Sequence, residues 1–344
     1  MTIENETPDC RSYDLPDRLL HGAIDTHIHS GPWLRSCPGR MDPFQLAVAA
    51  REAGQRAVVF YDHTFGNSAG TAWMVSRQVD GIEVYGGLIL TTCLGGMNPR
   101  AVKTALHYGA GAKFIHFGAH CTYYMASHEG RMINGAPVPF KDLYPKFAQE
   151  ELSRAIRIPL EDPISPELDE ILDLIAERPD VYLVTGHLSG PEAIRLCRLA
   201  RDRGIARILV SHPARARLSL AEQKQLAAEG VFLEACCSDW LFHKGLRRTN
   251  YYVEPEWADE IAGIASEPAF DGFVGWAKQI REIGVEHFVV GTDYGIRSAP
   301  APVEGMRLLA SSLLDLGFPV QDIRRLIRDN PERLLGLSPE RDTA

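Results

Sequence analysis

The 344-residue chain reads as one parallel α/β domain, a closed (β/α)8 barrel of the TIM type, on three observations. Short apolar runs alternate with segments of helical period, the pattern of parallel βαβ units. Eight such runs can be counted, each followed by a clear or weaker helical segment, which is the number a closed barrel needs. No Gly-x-Gly-x-x-Gly follows any run, which leaves the competing open, doubly wound sheet without its phosphate loop.

The first run, from Ala23, ends in His27-Ile28-His29 before Gly31-Pro32. Asp42-Pro43 then forms a helix start, an N-cap followed by proline at the first helical position, and the apolar spacing Phe44, Leu46, Ala47, Ala50 runs to a stop at Gly54. Ala57–Tyr61 is a buried-strand run, residues 71–78 a helix, and Val84–Leu90 the third strand. Asn98-Pro99 caps a helix that stops at Gly109, and Lys113–Phe117 makes the fourth strand. After a helix near 166–178, Val181–His187 and Ala206–His212 read as strands that each finish on a histidine, separated by a helix over 191–203. A helix over 220–229, a strand over Val231–Ala235, a helix near 275–283, a strand over Glu286–Asp293 and a helix over 303–316 complete eight units, so the barrel core spans about 22–337.

Two stretches break the rhythm. Residues 118–165 and 236–268 mix glycine, proline, aromatics and charge, and stretches this long inside a compact domain act as lids or substrate-binding insertions or as solvent-side excursions. The net charge of −9 leaves no basic field for nucleic acid or anionic lipid, so a small molecule is the expected partner. Seven scattered cysteines, an odd number without a Cys-x-x-Cys pair, read as free thiols of a reducing compartment. With no signal-like N-terminus and no apolar stretch of spanning length, a soluble cytoplasmic protein is expected. Apolar residues at helical spacing in 320–337 (Ile323, Leu326, Ile327) suit either packing back on the barrel or a homo-oligomer contact.

In a strand, residues two apart share a face, so His27 and His29 present two imidazoles side by side. In a parallel barrel the active site lies at the C-terminal strand ends, and His27, His29, His187, His212 and Asp293 all fall there, on strands one, five, six and eight. Imidazoles with one carboxylate suit Zn2+ and related ions, and a catalytic site with an open position would bring a water's pKa down toward about 7.

This ordered set resembles the amidohydrolase superfamily, whose pattern is His-x-His on strand one, histidines on strands five and six, and aspartate on strand eight. Gly291-Thr292-Asp293-Tyr294 and Asn330-Pro331-Glu332-Arg333-Leu334-Leu335 further resemble the amidohydrolase-related branch that includes aminocarboxymuconate semialdehyde decarboxylase. The resemblance implies that His27, His29 and His187 hold a metal and that Asp293 ligates it or accepts a proton from its water. It implies that His212 is either a ligand or the group that polarises a substrate oxygen. Binuclear members carry a carboxylated lysine or a glutamate at the end of strand four. Here that strand ends Phe114-Ile115-His116-Phe117 with Lys113 at its far end, so one metal is expected: zinc first, then manganese or iron.

Outside this set, His63 after strand two, Arg297 after Asp293, Arg35 after strand one and His116 are the substrate-binding candidates, the arginines through a bidentate fork to a carboxylate. Three functions fit. The first is a metal-dependent hydrolase of a small-molecule amide, lactone or ester; the second a nonoxidative decarboxylase of an aromatic or unsaturated acid; the third a metal- or ligand-binding barrel without catalysis.

Overall fold

The computed structural model describes residues 14–32, 41–62, 65–128, 130–134, 136–240, 271–295 and 299–339. Nine parallel strands carry the fold: β1 (Ile24–His29), β2 (Ala57–Tyr61), β3 (Glu83–Gly86), β4 (Leu88–Ile89), β5 (Phe114–His116), β8 (Tyr182–Val184), β9 (Ile208–Val210), β10 (Phe232–Cys236) and β11 (Phe288–Gly291). They form two parallel sheets, β1-β2-β3 and β11-β10-β9-β8-β5-β4. A separate antiparallel hairpin pairs β6 (Gly130–Ile133) with β7 (Ala136–Pro139).

The expected third strand, Val84–Leu90, is split in two. β3 pairs with β2 and β4 with β5, and the break falls at Gly87, where a Cβ would lie 2.5 Å from the Phe114 carbonyl oxygen and ring. On the other side the two sheets meet through hydrogen bonds between β1 and the end of β11. Asp293 N donates to His27 O at 2.7 Å and His29 N to Tyr294 O at 2.7 Å.

Strand alternation sorts the core into two parts. Ala57, Val59 and Tyr61 of β2 join Ile24, Phe114, Tyr182, Val184, Leu209 and Val289 in one cluster, while Val58 and Phe60 point into the larger cluster shared with the helices. The Pro166–Ala176 helix buries Leu168, Ile171, Leu172 and Ile175, one face at 3.6-residue period. Helix starts follow the sequence signals: Asp42 accepts from Phe44 N and Gln45 N, Asn98 caps Pro99–Ala105, and Ser219 forms a capping box with Glu222.

Three expectations resolve here. The 118–165 stretch holds a Tyr123–His128 helix, the β6–β7 hairpin and short helical turns. Of 236–268, a short Cys237–Trp240 helix is described, and residues 241–270 lie outside the described residues. Ile323, Leu326 and Ile327 are completely buried within the chain, so the C-terminal apolar face packs on its own fold. Among the described residues no helix is long and apolar enough to cross a membrane, and Cys93, Cys121, Cys197, Cys236 and Cys237 form no disulfide.

Candidate metal centre

All six residues of β1 are buried, and Thr26 ties the strand to β11 by donating to Val290 O at 2.9 Å. His27 lies flat on the Tyr61 ring, centroids 3.9 Å apart. Its Nδ1 is 2.8 Å from Glu234 Oε1, and the Nδ1 of His29 is 2.9 Å from the Tyr61 carbonyl. An ionised carboxylate and a carbonyl only accept, so both Nδ1 atoms carry the proton and both Nε2 atoms are lone-pair nitrogens in the neutral rings. Those two Nε2 atoms face one oxygen, Asp293 Oδ1, at 3.6 Å from His27 and 2.8 Å from His29. Lone pair against carboxylate is repulsive unless a proton or a cation lies between them.

The charge in the site points the same way. Burial raises the carboxyl of Asp293, but His27 and His29 outweigh it and hold the group well below the usual carboxylate range. Glu234 is likewise lowered despite burial, by His27, and Asp239 is brought down to about 2 by His212 and Arg215 against the same penalty. Burial favours neutral His27, yet Glu234 and Asp293 push its pKa up. Three carboxylates are thus held ionised in one buried pocket, and Arg215, bonded to Asp239 at 3.0 Å, offsets one of them. Two imidazole nitrogens anchored through their distal atoms, beside a carboxylate, form a donor set that fits a divalent ion.

The histidines of strands five and six sit beyond their strands rather than on them. β8 stops at Val184 and β9 at Val210, so His187 and His212 ride the following turns. Their rings are 5.0 Å apart, and His212 is 5.9 Å from His27. His212 Nδ1 is bonded to Asp239 Oδ2 at 2.7 Å. His187 is kept neutral by burial and by Arg215, whose Nη1 is 3.5 Å from its Nε2. Backbone strain marks the same places: His212 (φ 45°) and Asp293 (φ 54°) both adopt the left-handed region that side-chain-bearing residues seldom occupy.

Two tight donor groups emerge among the described residues, His27–His29–Asp293 and His27–His212–Glu234–Cys236; His187 belongs to neither. His116 ends β5 in the same pocket, buried, its ring 6.1 Å from that of His187, and His120 approaches His187 to 5.1 Å. Lys113 lies at the other end of β5, its Nζ 5.2 Å above the Tyr85 ring, so it does not reach the site. Arg35, His63 and Arg297 fall outside the described residues. Trp276 packs on Phe273 in the helical layer.

Sequence reasoning missed Glu234, Ser238, Asp239, Arg215 and Asp25. Glu234 was detectable: a carboxylate inside the apolar run Val231–Ala235 has to be paired if the run is buried. Ser238, whose hydroxyl donates to Asp293 Oδ2, and Asp239 lie in a short helix after β10 that no periodicity announces. Cys236 faces the histidines, with Sγ 3.8 Å from His27 Nδ1 and 4.0 Å from His212 Nε2; Cys237 packs near Gly305 O.

Solved structures similar to the chain share its fold at low identity. An amidohydrolase from Pseudomonas aeruginosa matches at 12% identity and TM-score 0.56, covering 93% of this chain and 98% of that one. The probable dipeptidase PvdM from Pseudomonas aeruginosa matches at 13% identity and TM-score 0.54 over 95% and 97%. A Pseudomonas putida protein described as a 2-pyrone-4,6-dicarboxylic acid hydrolase matches at 16% identity and TM-score 0.52 over 93% and 99%. No curated protein matches the sequence. A family model described as a family of unknown function, DUF6282, matches residues 22–234, through β1 and most of the strands that carry the site, and the chain belongs to that family.

Proposed function

We propose that the two parallel sheets close into one (β/α)8 barrel and that its C-terminal mouth is a metal-dependent hydrolase site acting on a small-molecule amide, lactone or ester. The observation that carries this reading is the pair of anchored imidazoles: Glu234 and the Tyr61 carbonyl hold the Nδ1 protons of His27 and His29, turning both Nε2 atoms toward Asp293. His27, His29 and Asp293 are the residues that would hold the ion, with His187 nearby on the turn after β8. A divalent cation, zinc first and manganese or iron next, would supply Lewis acidity and lower the pKa of a water toward about 7. Two fold neighbours bear the names of acyl-bond hydrolases, a dipeptidase and a pyrone-dicarboxylic acid hydrolase, which supports the reaction class.

The chain's own residues divide the remaining work. Asp293, strongly ionised and steadied by the Ser238 hydroxyl, is a poor proton store and acts as a fixed negative charge. His212 takes the proton: with Nδ1–H held by Asp239, its Nε2 accepts from the attacking water, the imidazolium is stabilised by Asp239, and the proton then passes to the leaving group. That order makes His212 a base first and an oxyanion donor only once protonated. Arg215, braced by Asp239, keeps His187 neutral.

The test is elemental analysis of purified wild type, His29→Ala and Asp293→Asn, followed by a screen of amides, lactones and esters with the metal-loaded protein. Loss of one equivalent of metal in both variants, together with hydrolysis by wild type, is the expected result. A metal content unchanged from wild type in both variants overturns the site, and release of CO2 from unsaturated acids without hydrolysis overturns the reaction class.

A further inference from the structure

We infer that the pocket contains a second cation site beneath the His27–His29–Asp293 group, formed by Glu234, Cys236, His212 and His27, with Cys236 as a thiolate ligand. It shares His27, Glu234 and His212 with the reading above; with the lower site filled His212 Nε2 is a ligand and not the base, so the site is a separate state of the pocket and does not depend on hydrolytic activity.

Four donor atoms, one from each of these side chains, lie within 4.8 Å of one another, and all four residues are buried. They come from neighbouring parts of the parallel sheets: His27 from β1, Glu234 and Cys236 from β10, and His212 from the turn after β9. Ligands about 2.0–2.3 Å from a tetrahedral ion are about 3.3–3.8 Å from each other. The observed edges are 2.8 Å for Glu234 Oε1 to His27 Nδ1, 3.8 Å for Cys236 Sγ to His27 Nδ1 and 4.0 Å for Cys236 Sγ to His212 Nε2. Each of these three edges lies within about half an ångström of that range.

A second observation is the state of Glu234. Its Oε2 is buried without a hydrogen bond of good geometry among the described residues, although Ser211 is its neighbour. A carboxylate placed mid-strand in an apolar core with one oxygen unsatisfied is costly as a mere anchor for His27 and reasonable as a ligand. Glu234 and Cys236 are two apart on β10, so their side chains share a face, the one turned to the histidines.

Occupancy requires proton release. The Cys236 thiol and His27 Nδ1 each lose a proton to solvent, the cation takes their place, and His27 becomes a bridge, Nδ1 to the lower ion and Nε2 to the rim. A thiolate in the set favours zinc or cobalt over manganese or magnesium. The second ion is thus held from strand seven, with no bridge on strand four, where this chain has no carboxylate or reachable lysine.

The experiment is Co2+ titration of the metal-free full-length protein, read by absorption and by bound-metal stoichiometry, for wild type, Cys236→Ser and His29→Ala. Wild type is expected to bind two equivalents and to show a thiolate-to-cobalt charge-transfer band in the near ultraviolet. Cys236→Ser should bind one equivalent without that band, and His29→Ala one equivalent with the band retained. If Cys236→Ser does not fold, as judged by circular dichroism, Glu234→Gln takes its place and should lose the lower equivalent. No charge-transfer band in wild type, a band that persists in Cys236→Ser, or loss of the band in His29→Ala would each overturn the lower site. One equivalent with the band in wild type, unchanged in His29→Ala, would leave the lower site standing and remove the rim site instead.

Discussion

One buried carboxyl links β1 to the end of β11, where the two sheets join, and replacing it with an amide should change how stability responds to pH. Asp25 is fully buried and accepts from Thr292 N at 2.9 Å, Thr292 Oγ1 at 2.7 Å and His27 N at 3.2 Å. Burial raises its pKa from 3.8 to about 7, and the hydrogen bonds from Thr292 and His27 offset only part of that. The native state therefore binds a proton between about pH 4 and pH 7 that the unfolded chain has already released. Stability from this group is full below pH 4 and falls as pH rises to 7, by an amount on the order of 4 kcal/mol at about 1.36 kcal/mol per tenfold. Asp25→Asn cannot titrate. Urea unfolding of the metal-free wild type and Asp25→Asn across this range isolates the group, because every other titration is common to both proteins. The stability of wild type minus that of Asp25→Asn should fall as pH rises from 4 to 7 and then level off. A flat or rising difference would refute the reasoning, since it would mean that the three donors hold Asp25 ionised. Asp25→Ala, which leaves those donors unmet, should cost about 3–5 kcal/mol near pH 4 and less as pH rises to 7.

Three further outcomes can be measured on the same protein. Gly295→Ala should destabilise the chain by about 3 kcal/mol or more in urea unfolding, because Gly295 has φ 98° and a Cβ there would fall 1.7 Å from His29 O; near-wild-type stability would mean that this turn is not held against β1. Asp239→Asn should lower kcat about 10²- to 10⁴-fold with little change in KM, since an amide can turn its NH2 toward His212 Nδ1 and leave Nε2 protonated; an unchanged kcat would remove His212 from proton transfer. Chelation should lower the melting temperature, by the equivalent of about 2.7 kcal/mol where the ion had been present at a hundredfold excess over its Kd, and readdition of zinc should restore it; no shift would argue that the histidines are satisfied by protons alone.

What could be read from the chain itself follows from how local each signal is. The alternation of apolar runs and helical periods is written within windows of about ten residues, so the parallel α/β class and the capped helices at Asp42 and Asn98 emerge directly. The proximity of His27, His29, His187, His212 and Asp293 was also legible, because a histidine or aspartate that follows an apolar strand declares its end of the sheet. Strand ends were less legible: His187, His212 and Asp293 lie two or three residues past the last residue of β8, β9 and β11, two of them in left-handed backbone that no residue-type preference foretells. The division at Gly87 was hidden for a similar reason, since a glycine inside an apolar run looks the same whether the strand continues or parts around Phe114. Least legible were the partners. Glu234, Asp239 and Asp25 work by what they touch across separations of 207, 27 and 267 residues. These long-range contacts change what the rim residues can do. His29 is fixed by the Tyr61 carbonyl with Nε2 toward Asp293, His212 is held at Nδ1 by Asp239, and His27 lies between Glu234 on one side and Asp293 on the other.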